Sequence, residues 1–575
     1  MNRTTDILHY TAFALILLVM AAMTAIQMPD IQTWITNKAI TALEGKTDAD
    51  INMKSVHFKS FNTLLLKDLT VIDKQPFAED ARDTLLQART LAVRFSLNSL
   101  VGPSHEDVIL KEVAIHGGQF NLVIEPTKYH INLTRMFHLE PKQEPEPMPE
   151  KDILQIRKIV LEDFTYTMRN YVAPLPHINE HAINWSDMGV DHINLQARNF
   201  KISHGLFYGE VDHMDFYERT GWRVKELRAE TVSGKGKAII NNIHIEDEES
   251  CADLDYSMTG TSEQFGDYVN QVIMEATIRK GRWSLKTLAH FIPPLNPDPK
   301  TILTIEGHAK GTVADVTADN LRIRAEGKRL STILNGNVKG LPNVSNMYIL
   351  ASLSNTVLSS DAVCKTVNAI APKANLDLGR IGEGAVYYGT IKAKGYLDNL
   401  SSSIDLNEGK YGGTAQIEAT VTNILNKTAP LQVSGAIATE RFNLGSLLGQ
   451  GKLGNATTSA KLEATVPRNE KELSARVDSL NIDALQFNGY NYSNITGLAS
   501  IQGQDLTVDI ETRDKALDAD ITVWSDKYAY SGAILIRKAD LNAMNFDKRG
   551  RSDIAANVYA RLDKDLKNIQ GNADI

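Results

Sequence analysis

The chain of 575 residues is too long for one hydrophobic core, so it forms several folding units or one extended repetitive unit. Its net charge is -9, and no run of lysines or arginines appears, which argues against nucleic acid as a partner. Its two cysteines, Cys251 and Cys364, could pair in an oxidising compartment, but a single pair does not make a disulfide framework.

The first predicted element is an uncharged stretch of 17 residues, Tyr10–Ile26. As a helix it would be about 25 Å long, close to the apolar thickness of a bilayer. As a cleaved signal peptide, it would lack a clear A-x-A site, and Asp6 offsets the charge of Arg3. We therefore favour an uncleaved membrane anchor over residues 1–28, with Arg3 on the cytoplasmic side. The predicted anchor side chains are Tyr10, Phe13, Leu15, Ile16, Leu17, Leu18, Val19, Met20 and Ile26.

A second helix is predicted directly after the anchor, from Pro29 to Gly45, because apolar residues recur there with helical spacing. It either caps the core of the next unit or lies at the membrane interface with Trp34 at the level of the headgroups. From Ile51 the apolar residues alternate instead, which predicts strands in the unit 29–139. Within this unit, Gly117-Gly118 between two alternating runs predicts a hairpin turn.

Residues 140–152 contain four prolines and almost no apolar side chains, which predicts an exposed linker or loop. A ligand for a proline-binding domain is the alternative, but a spacer is the simpler interpretation. Alternation resumes over 153–300. Short helices are predicted at Ser284–Ile292 and Ala362–Ile370, each closed by proline, and a third short turn at Phe442–Leu448.

The segment 301–575 alternates almost without interruption, which predicts an antiparallel sheet with one apolar and one polar face. The apolar face needs a covering layer, and too few helices are predicted to supply it. The sheet could pack on a second sheet, coil as a β-helix, or curl into a groove that holds an apolar ligand. The many small residues on this face favour the groove. Its predicted lining residues are Leu303, Ile305, Leu321, Ile323, Leu334, Val338, Met347, Ile349, Leu353, Ile391, Ala393, Ile417, Val421, Leu431, Val433 and Ile437.

Catalytic motifs are absent from the sequence: it contains no G-x-S-x-G, no phosphate-binding glycine loop and no H-E-x-x-H. Five histidines fall close together in the chain without the spacing of metal ligands: His177, His181, His192, His204 and His213. We therefore predict that the protein is not an enzyme and has no catalytic residue, metal site or cofactor.

Several segments resemble the AsmA-like superfamily, specifically the TamB-type translocation and assembly module proteins of Bacteroidetes. The similar segments are Met28–Trp34 after the apolar span, Ala49–Met53, Leu66–Asp73, Asn184–Met188, His192–Phe200, Asp215–Trp222 and Phe487–Ile495. This resemblance implies a mainly β fold: a transmembrane helix followed by an elongated, curled antiparallel β-groove with a few short helices. It also implies a single-pass protein of the bacterial inner membrane whose bulk lies in the periplasm. Family members are typically longer, so the chain is either a fragment or a short relative.

The resemblance implies a role in envelope biogenesis, either as a bridge-like conduit carrying phospholipid between inner and outer membranes or as a scaffold for outer-membrane β-barrel assembly. The expected partners are accordingly phospholipid acyl chains and the inner membrane, or an outer-membrane β-barrel assembly protein, and not nucleic acid. A third hypothesis, an extracellular adhesin-like sandwich, would require cleavage after the apolar span. The apolar alternation and the anchor favour the lipid conduit.

Overall fold

The computed structural model describes residues 47–575 with gaps, the longest of which cover 97–107, 139–151, 173–179 and 373–381, together with Lys38, Thr41 and Gly45. The predicted anchor, nearly all of the helix after it and nearly all of the proline-rich segment therefore lie outside the described residues. None of the described helices is long and apolar enough to cross a membrane. The described residues form 28 strands and a few short helices.

The chain divides into two units. Unit 1 comprises Met1–Glu263 and Ile278–Lys300, and unit 2 comprises Gln264–Thr277 and Thr301–Ile575. Strand β12 (Ile273–Ser284) contributes residues to both. The prediction of a mainly β protein with a curled, mostly antiparallel sheet and few helices is confirmed.

The described residues of unit 1 form eleven complete strands. They are β1 (Ala49–Asn52), β2 (Ser55–Lys59), β3 (Thr63–Asp73), β4 (Thr84–Phe95), β5 (Val108–Ile124), β6 (Asp152–Asn170), β7 (Asp187–Ser203), β8 (Leu206–Glu218), β9 (Arg223–Gly234), β10 (Lys237–Glu246) and β11 (Cys251–Thr259). Both β1 and β2 pair with β3, and the remaining neighbours pair in chain order. The β5–β6 pair is parallel and the others are antiparallel. A parallel pair needs a long crossover connection, and β5 and β6 are separated in the chain by residues 125–151, which include helix α1 (Asn132–Met136).

The predicted hairpin at Gly117-Gly118 is wrong, because both residues lie inside the continuous strand β5. Gly117 adopts a positive φ of 64° within the strand. A Cβ on Gly118 would stand 2.7 Å from the carbonyl oxygen of Gln87 and 2.9 Å from the ring of Phe164. The glycine pair therefore marks a kink in β5 and a close approach of neighbouring strands. Glycine inside a strand often has this role, because it has no side chain to obstruct the approach.

Two clusters of buried hydrophobic residues form core regions of unit 1. The first surrounds Trp222 and Val224, and helix α3 (Leu285–Phe291), with Leu285 and Ala289 fully buried, lies nearby. The Ser284 side chain caps α3 by accepting a hydrogen bond from the Thr287 amide, as the predicted helix start requires. The second cluster includes Met136 of α1.

Unit 2 is a continuous antiparallel meander from β13 to β28, in which each strand pairs with its neighbours in chain order. The strands are β13 (Ile302–Gly311), β14 (Asp315–Ala325), β15 (Leu330–Lys339), β16 (Tyr348–Ser359), β17 (Val386–Tyr396), β18 (Asn399–Glu408), β19 (Thr414–Thr422), β20 (Leu431–Asn443), β21 (Leu453–Val466), β22 (Ser474–Phe487), β23 (Tyr490–Gln502), β24 (Asp505–Arg513), β25 (Leu517–Ser525), β26 (Ala529–Ala539), β27 (Ile554–Asp563) and β28 (Ile569–Asp574). Its helices are α2 (Tyr268–Gln271), a 3-10 turn (Val344–Asn346), α4 (Ser360–Ile370) and α5 (Leu444–Leu448).

One-residue bulges with left-handed backbone recur in the strands. Asn320 in β14 has φ 51° and Asn355 in β16 has φ 48°, and each lies at a shift in the pairing register. Asparagine tolerates this conformation better than most residues. Because each bulge changes the phase of the alternation, the apolar run in β16 ends at Leu353, just before Asn355.

Glycines on the predicted apolar face mark where the sheet of unit 2 bends. A Cβ on Gly435 of β20 would stand 2.2 Å from the carbonyl oxygen of Glu418 on β19, and one on Gly389 of β17 only 1.9 Å from that of Asp405 on β18. Neighbouring backbone therefore occupies the space above this face, as expected where a sheet curls toward it.

We expect Gly435→Ala to destabilise unit 2 by about 1–3 kcal/mol, because β19 and β20 must move apart to admit the methyl group. The matched control is Gly532→Ala, whose Cβ meets its nearest neighbour at an ordinary 3.8 Å. Urea unfolding and hydrogen exchange of β19 and β20 would measure the difference. Equal stability of the two variants would contradict the inferred curl at Gly435.

The segment Phe487–Ile495, noted for its family resemblance, runs from the end of β22 through a turn into β23. Asn488 and Gly489 both have positive φ and make the turn from β22 to β23. The carboxylate of Asp514 then accepts hydrogen bonds from the Tyr490 hydroxyl at 2.7 Å and from the Ser493 hydroxyl at 2.8 Å and amide at 3.0 Å. Burial favours a higher pKa for Asp514, but these hydrogen bonds outweigh it and lower the pKa. Burial and the Asp514 contact raise the pKa of Tyr490 to about 12.

The stability of the region around Asp514 and Tyr490 should therefore depend on pH. The contribution of Asp514 is present above its ordinary pKa of about 3.9 and is lost as the pH falls through its lowered folded value. The contribution of Tyr490 is present below about pH 10 and is lost as the pH rises through about 12.

Asp514→Asn should cost about 1–3 kcal/mol at pH 7, because an amide cannot accept all of these hydrogen bonds. Urea unfolding from pH 3 to 7 would show that cost shrinking toward acid pH. A cost that does not change with pH would contradict the role of the ionised Asp514 carboxylate as the acceptor of these hydrogen bonds.

Candidate functional site

The apolar face of unit 2 is organised into three rows that cross six consecutive strands, β15 to β20. Residues directly opposite each other on paired strands point to the same side of a sheet. Row 1 is Leu334, Leu353, Ile391, Ile404, Ile417 and Ile437; row 2 is Gly336, Ala351, Ala393, Ser402, Ala419 and Gly435; row 3 is Val338, Ile349, Gly395, Leu400, Val421 and Val433. Two rows of large aliphatic side chains, interrupted at Gly395 in row 3, therefore flank a row of small residues.

The structure brings ten of the sixteen predicted lining residues into these rows. Leu321 extends row 1 onto β14, where it lies opposite Leu334, and Ile305 lies opposite Ile323. Three predicted residues lie outside the rows: Leu303 near the start of β13, Met347 just before β16, and Leu431 at the start of β20.

The sequence prediction missed part of this face. Ile404 and Leu400 of β18 were not predicted, although they belong to rows 1 and 3. The face also continues through a further series of opposed residues, Ile510, Ile521, Ile534 and Val558, from β24 to β27. These residues could have been predicted from the sequence, since the same alternation of apolar and polar residues runs through their strands.

Burial shows that this face is neither a closed core nor an ordinary surface. All sixteen predicted residues are half-buried. On the opposite face, by contrast, Leu350 is 50% and Leu498 52% exposed. None of the three rows belongs to the buried clusters of unit 2 in the described residues. Those clusters lie at the strand ends, around Tyr387 and Phe442 beside α5 and around Tyr492 beside Met544. Among the described residues, no layer packs on the middle of this face.

A cavity of about 900 Å³ lies on the opposite, polar face. Its walls carry the side chains that alternate with row 2, including Lys392, Lys394, Lys461 and Glu418, and several serines and threonines. All six row 2 residues form its floor, and Ala393 among them is the one predicted lining residue that borders it. The ammonium and hydroxyl groups suit polar or anionic ligands, whereas the rows on the other side suit apolar ones.

The histidines that cluster in the sequence are dispersed in the structure. His192 contacts Asp163 at 2.8 Å, His213 contacts Asp215 at 3.0 Å, and His204 contacts the Ser203 hydroxyl at 2.8 Å. His177 lies outside the described residues.

Comparison of the chain with protein-family models, curated proteins and solved structures finds no match. The apolar face itself is therefore the basis for assigning a function. Rows 1 to 3 contain no ionisable side chain, so the strip can accept hydrocarbon without desolvating a charge.

Proposed function

We propose that the chain binds phospholipid acyl chains along the apolar face of unit 2 and acts as a conduit for them. The observation that carries this proposal is the set of three in-register rows, half-buried and without a packed covering layer in the described residues. Burying apolar surface is favourable by about 25 cal/mol per Å², so a hydrocarbon chain is a suitable occupant. The middle row carries no large side chain, because its six members are glycine, alanine and serine.

The cellular setting is part of the same proposal. The uncharged span Tyr10–Ile26 would anchor the protein in the bacterial inner membrane, and the units would lie in the periplasm. The resemblance of several segments to TamB-type proteins supports a role in envelope biogenesis, with phospholipid passing between inner and outer membranes. Transport along the sheet would need no covalent chemistry, which agrees with the prediction that the protein is not an enzyme.

Photolabelling tests where lipid binds. The full chain, purified in mild detergent, is loaded with a phospholipid carrying a diazirine in its acyl chain, irradiated and digested. We expect labels on row 1 and row 3 residues of β15 to β20 and co-purifying phospholipid in the extract. Absence of both lipid and label would overturn the proposal. Crosslinking to an outer-membrane β-barrel assembly protein in place of lipid would favour the scaffold hypothesis instead.

A further inference from the structure

A compact group of potential metal ligands lies on the hairpin formed by β10 and β11 in unit 1. Glu246 and Cys251 are directly opposite each other, and His244 lies two residues before Glu246 on the same face. One potential ligand atom from each of His244, Glu246 and Cys251 lies within 4.8 Å of the others. Imidazole, carboxylate and thiolate are the groups that bind zinc in proteins. Their neighbours Ile245 and Ala252 face the other way, and Ile245 packs on the core.

A fourth residue holds the histidine in place. Asp253 is opposite His244 across the hairpin, and its carboxylate lies 2.7 Å from His244 Nδ1. A carboxylate bonded to one ring nitrogen is the usual partner of a metal-binding histidine, because it fixes the ring and leaves the other nitrogen for the metal. This arrangement would leave Nε2 of His244 as the ligand.

The turn that joins the two strands is buried and hydrogen-bonded. Asp247 and Ser250 are each 5% exposed. The Asp247 carboxylate accepts hydrogen bonds from the Ser250 amide at 2.6 Å, the Trp222 indole at 3.0 Å and the Thr287 hydroxyl at 2.6 Å. Glu246 and Cys251 flank this turn and are therefore held opposite each other by the core of unit 1. A ligand pair on fixed strands loses little entropy when an ion binds.

Glu246 faces a second carboxylate across the sheet. On its other side, Glu246 lies opposite Glu226 of β9. Glu226 is paired with Arg228 at 2.8 Å, but the Glu246 carboxylate has neither a hydrogen-bonding nor an ion-pair partner among the described residues. Like charges facing each other across strands are unfavourable. A divalent cation beside Glu246 would relieve this repulsion.

We propose that His244, Glu246 and Cys251 bind a thiophilic divalent transition-metal ion such as Zn²⁺. Asp253 is the positioning residue for His244. Carboxylate and thiolate together balance the two charges of the ion, and the histidine binds as a neutral ligand. Zinc ligands in a tetrahedral site lie about 3.5 Å apart, so small side-chain rotations bring the three groups from their present spacing to the bound one.

Titration of the tag-free full chain with Co²⁺ tests the site. We expect saturable binding with a thiolate-to-cobalt charge-transfer absorption that Zn²⁺ abolishes. Cys251→Ser should lose this absorption, and Asp253→Asn should bind Co²⁺ about 10–100-fold more weakly. Cys364→Ser is the matched control, since Cys364 is the other free thiol and lies on α4. Lack of the absorption in the wild type, or its persistence in Cys251→Ser, would overturn the proposal.

A second measurement needs no variant. Zn²⁺ should slow alkylation of Cys251 by iodoacetamide at least about tenfold and leave the rate at Cys364 unchanged, as followed by peptide mass spectrometry. Equal rates at Cys251 with and without Zn²⁺ would overturn the proposal independently of how any variant folds.

Discussion

Ile391→Glu should reduce phospholipid binding and transfer at least about tenfold, whereas Lys392→Glu should leave both within about twofold. Ile391 lies in row 1 between Leu353 and Ile404, where acyl chains would pass. Lys392 follows it on β17 and faces the opposite side. A carboxylate in contact with hydrocarbon costs more than the 1.4 kcal/mol that corresponds to a factor of ten.

Two measurements on this pair of variants separate the possible binding faces. Bound phospholipid is measured by extraction and mass spectrometry, and transfer by movement of a fluorescent phospholipid between vesicles. Circular dichroism and thermal unfolding should show that both variants are folded. This result is expected if the face is open, because in a closed core the buried carboxylate of Ile391→Glu would destabilise the fold. Loss of lipid in Lys392→Glu with retention in Ile391→Glu would place the ligand in the polar cavity and contradict the proposal.

Arg135→Met should destabilise unit 1 by about 3–5 kcal/mol, the usual cost of removing one partner from a buried ion pair. Arg135 of α1 makes hydrogen bonds to both Asp73 and Glu125, whose side chains are 4% and 0% exposed. Burial by itself would lower the pKa of Arg135, but the two carboxylates outweigh it and raise the pKa, so the guanidinium stays charged. Its removal leaves two unpaired carboxylates in the core beside Met136.

The control for this prediction is Arg198→Met. Arg198 pairs with Glu210 and Asp212 at the surface, where its side chain is 57% exposed, and its loss should change stability by no more than about 0.5 kcal/mol. The combination Arg135→Met, Asp73→Asn and Glu125→Gln should recover much of the loss, because no buried charge remains. Hydrogen exchange of α1 and β3 would report the local effect. Equal costs for the two single variants would show that the buried cluster contributes no more than a surface pair.

Local patterns were enough to predict the strands and their apolar face, because each strand displays its alternation without reference to its neighbours. Ile391 and Ala393 of β17, and Ile417 and Val421 of β19, could be placed on one face from spacing alone. Helices α3 and α4 were equally predictable, since caps and prolines act within a few residues of the helix they bound.

Features that depend on pairing between distant residues could be recognised only in the folded chain. Gly117-Gly118 fits a turn locally, but its meaning comes from the approach of Gln87 and Phe164. The order of the three rows depends on register, which bulges such as Asn355 shift. The His244, Glu246 and Cys251 group depends on the β10–β11 register in the same way. Curvature and cross-strand clusters are non-local, because they follow from how neighbouring backbones approach each other, and no periodicity within a single strand encodes that approach.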